Sequence, residues 1–253
     1  EHSNTKGGGN RLDIKLVNEQ SILIYFKEEI SEDNYKEVDA TTQYILSKNI
    51  SAIKNIVPSY RAIMINFDND LIDYEELITR LDLNHIERLG LDSKTEKRVI
   101  HIPVLYNYEV GPDLKEVASH NNLTVEDVID IHSSNEYLVY MLGFMPGFPF
   151  LGGLDERLHT PRRSEPRVKI EAGSVGIANN QTGLYPSDSP GGWQIIGRTP
   201  LKVFNQYSEP MTLYEAGDYI KFYAIDESTF KEIETEIAKN RFNKEKWVFN
   251  NEY

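Results

Sequence analysis

Residues 182–193 read Thr182-Gly183-Leu184-Tyr185-Pro186-Ser187-Asp188-Ser189-Pro190-Gly191-Gly192-Trp193. Glycine loses more backbone entropy than any other residue, and proline lacks an amide donor, so no helix survives such a run. The bias extends outward on both sides. Residues 143–200 hold 10 of the 16 glycines and 7 of the 11 prolines of the chain. Short strands between tight turns are what this composition permits. The apolar spacing predicts them at 174–178, 193–196, 201–204 and, just beyond, 219–223. That is the pattern of a β-barrel or sandwich. Residues 172–208 also carry one acid, Asp188, and two cations, Arg198 and Lys202. A loop segment so poor in charge is expected to be packed, inside the chain or against a partner. Pro190-Gly191-Gly192 allows close backbone approach to a ligand, or else forms a barrel turn stacked on Trp193.

Upstream, the pattern changes. Leu12, Ile14 and Leu16 alternate with polar residues, a strand period. Residues 21–26 form a second, more continuous apolar strand. Ser31 is placed as a helix N-cap, with Glu32 and Asp33 at the positive helix end. Residues 53–57 and 61–67 read as strands around Pro58-Ser59. Asp73 opens a second helix with Leu77, Ile78, Leu81, His85 and Leu89 on one face. Residues 99–105 form another strand. The first hundred residues thus read β-β-α-β-β-α-β, an α+β sandwich with helices on one face of a mainly antiparallel sheet. Two short helices follow, one from Gly111-Pro112-Asp113 and one from Thr124 with Asp127 in capping-box spacing. A strand is expected at 136–142, and Asp226 caps a last helix with Phe230, Ile233 and Ile237 inward. The boundaries expected are a flexible leader or expression remnant at 1–10, an N-terminal α/β-sandwich domain at 11–106, and a barrel domain at 107–245.

The chain has 253 residues, 40% of them hydrophobic, enough for a sizeable core. Its formal charge of −13 disfavours nucleic acid and anionic membrane surfaces as partners. Cysteine is absent, which removes disulfides, thiolate metal sites and a Cys nucleophile, and fits a reducing cytoplasm. No apolar run approaches a membrane span.

The phosphate-loop and GxGxxG patterns are missing, as are HExxH and EF-hand loops. Ala172-Gly173-Ser174-Val175-Gly176 falls short of a nucleophile elbow, which needs glycine where Ala172 stands. No two histidines have metal-ligand spacing, and no metal site is expected. Pro161-Arg162-Arg163-Ser164-Glu165-Pro166-Arg167-Val168-Lys169 gathers four cations on a stretch stiffened by two prolines. Arginine suits bidentate capture of carboxylate or phosphate. The stretch is either an anion site or a solvated loop balancing acids such as Asp155 and Glu156. His132, at a helix end, is either a cap or satisfied core histidine, or a group for binding and proton transfer.

Five motifs in order resemble one known family. Gly143-Phe144-Met145-Pro146-Gly147-Phe148-Pro149-Phe150-Leu151-Gly152-Gly153-Leu154 is similar to its GFxPGFxYLGGL motif. Thr160-Pro161-Arg162-Arg163 through Pro166-Arg167 resembles TPRxxxPR, and Ala172-Gly173-Ser174-Val175 resembles AGSV. The stretch from Gln181 to Trp193 resembles QTGIYPxxSPGGW, and Gly197-Arg198-Thr199-Pro200 resembles GRTP. The family is KipI/PxpB, which comprises the B-type subunits of 5-oxoprolinase and is also known as the allophanate hydrolase subunit 1 family. One departure is Ile170-Glu171, where the family usually has Val-Pro.

The resemblance implies a small α+β domain followed by a cyclophilin-like β-barrel. It implies a subunit, inactive alone, of an ATP-dependent 5-oxoprolinase that opens 5-oxoproline to L-glutamate. The implied partners are a paralogous KipA/PxpC-type subunit and a PxpA-type subunit. ATP, as Mg-ATP, would bind in a partner or in a site shared with one. Inhibition of a sensor histidine kinase, or a role in an amide or urea-derivative hydrolase or carboxyltransferase, are the alternatives. Proline isomerisation rests on the fold alone and is weak. On this reading Arg162, Arg163 and Arg167 clamp substrate or anion, with Gly191, Gly192, Tyr185 and Ser189. Phe144, Pro146, Phe148 and Trp193 line the pocket. His132 is the acid/base or orienting group.

Overall fold

A computed structural model describes residues 12–85 and 97–252. The chain divides into two compact units, residues 1–94 and 95–253. The expected leader at 1–10, and Leu89 of the expected second helix, lie outside the described residues.

In the first unit, β1 (Asp13–Asn18), β2 (Ser21–Tyr25), β3 (Ile53–Pro58) and β4 (Ala62–Phe67) form an antiparallel sheet in the order β1-β2-β4-β3. Period-two alternation puts Ile22 and Ile24 of β2 on one face, directly opposite Ile65 and Ile63 of β4, and all four are fully buried. Helices α1 (Glu32–Ser47) and α2 (Tyr74–Leu81) cover that face with Val38, Ile45, Leu77 and Leu81. The expected caps are in place. Ser31 accepts from the Asn34 amide and Asp73 from the Glu76 amide. The second helix is shorter than its apolar pattern suggested. It stops at Asp82, which adopts φ 46°, and a 3-10 turn over Leu83–His85 follows.

The second unit is built on β5 (Arg98–Leu105), β6 (Tyr137–Leu142), β7 (Pro149–Gly152), β9 (Ser174–Ala178), β10 (Gln181–Leu184), β12 (Gln194–Arg198) and β13 (Tyr219–Ile225). Neighbours run β12-β9-β10-β7-β6-β13-β5, and a β12–β5 pairing at Arg198 and Leu105 closes the ring into a seven-stranded barrel. Among the described residues, only β5 and β13 pair in parallel. A short β14 (Asn250–Glu252) adds to β5, and β8 (Arg167–Ile170) pairs with β11 (Ser189–Gly191) as a separate ribbon. Helices α3 (Leu114–His120), α4 (Val125–Ser134), α5 (Glu227–Ala238) and α6 (Lys244–Trp247) complete the unit. Thr124 and Asp127 make the expected reciprocal capping box, and Asp226 caps α5.

Two expectations change here. The strand at 98–105 pairs within the barrel and not in the N-terminal sheet. Its partner β13 lies more than a hundred residues downstream, which no local pattern reveals. Residues 201–204 form no strand; only an isolated bridge joins Phe204 to Thr212.

The core of this unit includes Ile100, Ile102, Val104, Val139, Leu151, Val175, Ile177, Ile196 and Phe222. A second, smaller cluster gathers Phe148, Ile170, Ala178, Tyr185, Trp193 and Ile195 beside the ribbon.

Candidate functional site

The basic stretch folds back on one buried acid, Asp113, whose side chain is 4% exposed. Arg167 binds it bidentately, Nη1 to Oδ2 at 2.7 Å and Nη2 to Oδ1 at 2.8 Å. Arg163 donates from Nη1 to Oδ1 at 2.9 Å, and the Ile195 amide donates to Oδ2 at 2.7 Å. Two of the three arginines expected to clamp a ligand therefore already hold a carboxylate. Asp113 occupies the N-cap of α3 yet makes no side-chain cap bond, because its oxygens face the arginines and β12. The turn before it presses on the same strand: a Cβ on Gly111 would lie 2.3 Å from the Ile196 carbonyl oxygen. In the sequence, Gly111-Pro112-Asp113 shows only a helix start, and this hub was missed. The local signal for it was no more than an acid at a helix N-terminus.

Arg162 is different. It is exposed, 5.9 Å from the Trp193 ring, and has no ion-pair partner among the described residues. It borders a cleft of about 710 Å³ between α3 and the basic loop, whose lining includes Lys115, Glu116, His120 and Arg163. Thr160 and Gln194 supply buried surface to it.

His132 lies elsewhere, with no exposed surface. Its ring stacks on Phe222 at 5.0 Å. Thr182 Oγ1 donates to the Gly176 carbonyl at 3.0 Å, so it accepts from His132 Nε2 at 2.8 Å. Nδ1 then accepts the Tyr106 hydroxyl proton at 2.8 Å. Burial lowers the imidazole to about 3 and raises the Tyr106 phenol well above its usual value. The ring is neutral, with both nitrogens satisfied inside the core. The ring expected as an acid/base or orienting group has no exposed surface in this chain, whereas a proton donor must reach its substrate.

The aromatic and glycine residues divide the same way. Phe148, Tyr185 and Trp193 are buried and meet edge to face, with ring centroids 5.4–6.3 Å apart. Burial raises the Tyr185 hydroxyl to about 12. Phe148 and Trp193 thus serve the core cluster rather than an open pocket wall. Phe144 is 73% exposed at φ 65°, and Pro146 is exposed beside it. Ser189 and Gly191 sit in the β11 ribbon, and the Gly192 carbonyl accepts from the Arg163 amide at 2.7 Å. The departure at Ile170-Glu171 splits: Ile170 is buried in the aromatic cluster, and Glu171 pairs with Arg198.

Gly173 has a backbone reason for its identity. It sits at φ +86°, and a Cβ there would lie 2.4 Å from the Thr199 carbonyl oxygen. Gly173→Ala is expected to cost about 2 kcal/mol in urea unfolding, through left-handed strain and that contact. An unchanged midpoint would show that the turn relaxes freely. Among the described residues no three His, Asp or Glu side chains gather as a metal site, and no helix is long and apolar enough to cross a membrane.

The family model for the carboxyltransferase domain, subdomains C and D, matches residues 12–214. The chain belongs to this family. The B-type subunit of 5-oxoprolinase from Bacillus subtilis (strain 168) is 41% identical over 229 residues, 87% of this chain and 95% of that protein. The resemblance drawn from the five motifs is thereby upheld. A solved structure of a longer protein, 32% identical with TM-score 0.69, covers 82% of this chain, which spans 40% of that protein. The urea carboxylase of Kluyveromyces lactis, at 18% identity and TM-score 0.76 over 96% of this chain, shares the carboxyltransferase-domain fold.

Proposed function

We propose that this chain is the B-type subunit of an ATP-dependent 5-oxoprolinase, which opens 5-oxoproline to L-glutamate. The observation that carries the reading is the 41% identity to a protein named as the B-type 5-oxoprolinase subunit, across 95% of its length. The second unit is read as a cyclophilin-like barrel domain following a small α+β domain. The partners are a paralogous KipA/PxpC-type subunit and a PxpA-type subunit, and the assembly is cytoplasmic.

A lactam resists water because its amide is resonance-stabilised. Phosphorylating the lactam oxygen creates a leaving group, and the site must hold substrate and phosphates in register. The residues of this chain fit the substrate side better than the nucleotide side. Arg163 and Arg167 are engaged by Asp113, and a triphosphate would face Glu116 across the cleft. Mg-ATP is therefore assigned to a partner or to a site that a partner completes.

The test is ATP hydrolysis by the chain alone and with its two candidate partners, with and without 5-oxoproline. Turnover only in the full mixture, and only with 5-oxoproline, is expected. A stable complex whose ATP hydrolysis ignores 5-oxoproline would overturn the assignment, and would shift it to another amide substrate or to inhibition of a histidine kinase.

A further inference from the structure

We propose that Arg198 and Ser174 form a seat for one small carboxylate, and that Glu171 fills this seat in the free chain. The inference stands apart from the cleft beside α3 and from the oxoprolinase reading.

Strand pairing builds the seat. On β9, Val175 and Ile177 point into the barrel core, so Ser174 faces the outer side. The register places Arg198 of β12 directly opposite Ser174, so the two side chains leave the same face as neighbours. Both line a small cavity of about 150 Å³. Ser174 is 4% exposed. Its hydroxyl keeps accessible surface yet makes no hydrogen bond among the described residues. A ligand oxygen would supply the missing partner. Arg198 lies 5.4 Å from the buried Phe230 ring, which steadies the guanidinium. Only its Nη1 is engaged, by Glu171; Nε and Nη2 have no acceptor among the described residues. Those two nitrogens present parallel N–H donors, the geometry that pairs a carboxylate.

Charge selects the ligand. Arg167, Lys169 and Arg198 line the cavity together with Glu109 and Glu171. Arg167 shares Asp113 with Arg163, and Lys169 pairs with Asp188 at 2.9 Å. Lys231, near Glu109, is matched by Glu227. Arg163, Arg167, Lys169 and Arg198 thus balance Asp113, Asp188, Glu109 and Glu171, and the set is neutral with Glu171 in place. An added anion must exchange with a resident acid. Asp113 is buried under two arginines, and Asp188 also accepts the Ala172 amide at 2.9 Å. Glu171 is the acid that can leave, since it is 59% exposed and held by Arg198 alone. One departing carboxylate admits one monoanion, whereas a phosphate dianion would leave excess negative charge beside Glu109. The volume is below the usual range of whole small-molecule sites, so it admits a carboxylate head group and little more.

The experiment titrates acetate, and separately inorganic phosphate, into the full chain at constant ionic strength, followed by amide NMR at Gly173, Ser174 and Arg198. Acetate is expected to bind more tightly than phosphate. Glu171→Ala is expected to tighten acetate about fivefold, the factor by which an exposed ion pair keeps the seat shut. Glu37→Ala, the same charge change in the first unit, is expected to leave acetate unaffected. Ser174→Ala should weaken acetate about fivefold, the size of one hydrogen bond. Arg198→Lys keeps the charge but loses the fork, and should weaken it about tenfold. In an Arg198→Gln background, Glu171→Ala should change nothing further, because the carboxylate then has no seat to close.

Equal acetate affinity in the wild type and Glu171→Ala would overturn the exchange. Unchanged affinity in Ser174→Ala and Arg198→Lys would overturn the seat. Tighter phosphate than acetate, or no acetate binding even in Glu171→Ala, would overturn the carboxylate assignment. Every readout is binding to this chain, so an absence of 5-oxoproline-dependent turnover in the complex would leave the seat standing.

Discussion

Asp113→Ala is expected to lower the unfolding free energy by about 3 kcal/mol, read from urea denaturation near neutral pH. The carboxylate is 4% exposed and accepts from two guanidinium groups and the Ile195 amide. Removing it leaves cations without their counter-charge and a buried amide without an acceptor. Breaking a buried ion pair by deleting one partner costs roughly 3–5 kcal/mol. The low end applies because Arg163 and Arg167 are 34% and 24% exposed and can turn toward water. The Ile195 amide cannot. Asp113→Asn should recover little, since one oxygen becomes an NH₂ facing a donor. The contrast is Asp188→Ala. Asp188 is 54% exposed and pairs with Lys169 at 2.9 Å. Loss there should stay below about 1 kcal/mol. If both variants lose equally little, the basic loop is held by its ribbon and prolines, and Asp113 is not its anchor.

The difference between these two acids shows what a linear reading can and cannot reach. Helix caps are local, so Ser31, Asp73, Thr124 with Asp127, and Asp226 were legible. Apolar strand runs are local too, and 53–57 and 61–67 were legible as strands. Pairing is not local. The apolar run at 98–105 announces a strand but does not say that its partner is Tyr219–Ile225. The short strands β7, β8 and β11 span only three or four residues each, too few to show a period. In the site, the cation cluster was visible because its members are neighbours in sequence. Its neutralisation was not, because Asp113 lies some fifty residues away and looks like an ordinary helix start. The same limit applied to His132. Its place at a helix end suited either role, and its partners Thr182 and Tyr106 are brought in from other elements.

His132 also makes stability depend on pH, with a sign that follows from its burial. The native imidazole titrates at about 3, and the unfolded one near its ordinary 6.5. Above 6.5 both states are neutral, and this contribution to stability is fully present. As pH falls below 6.5, the unfolded chain takes up a proton that the native core refuses. Stability then drops by about 1.4 kcal/mol per pH unit, until the native imidazole protonates as well. The loss should reach about 2 kcal/mol by roughly pH 5, where most carboxylates are still charged. His101, lowered in the same direction by partial burial, adds a smaller slope of the same sign. The variant that isolates the effect is His132→Gln. It is expected to be less stable near neutrality, because Tyr106 and Thr182 lose well-placed partners. Carboxylates and His101 titrate in both proteins and cancel in the difference. The gap between wild type and variant should therefore narrow as pH falls from 7 to 5. Parallel curves would mean that the native imidazole takes up its proton near neutrality. That would reopen a proton-transfer role for a ring the structure otherwise seals inside the core.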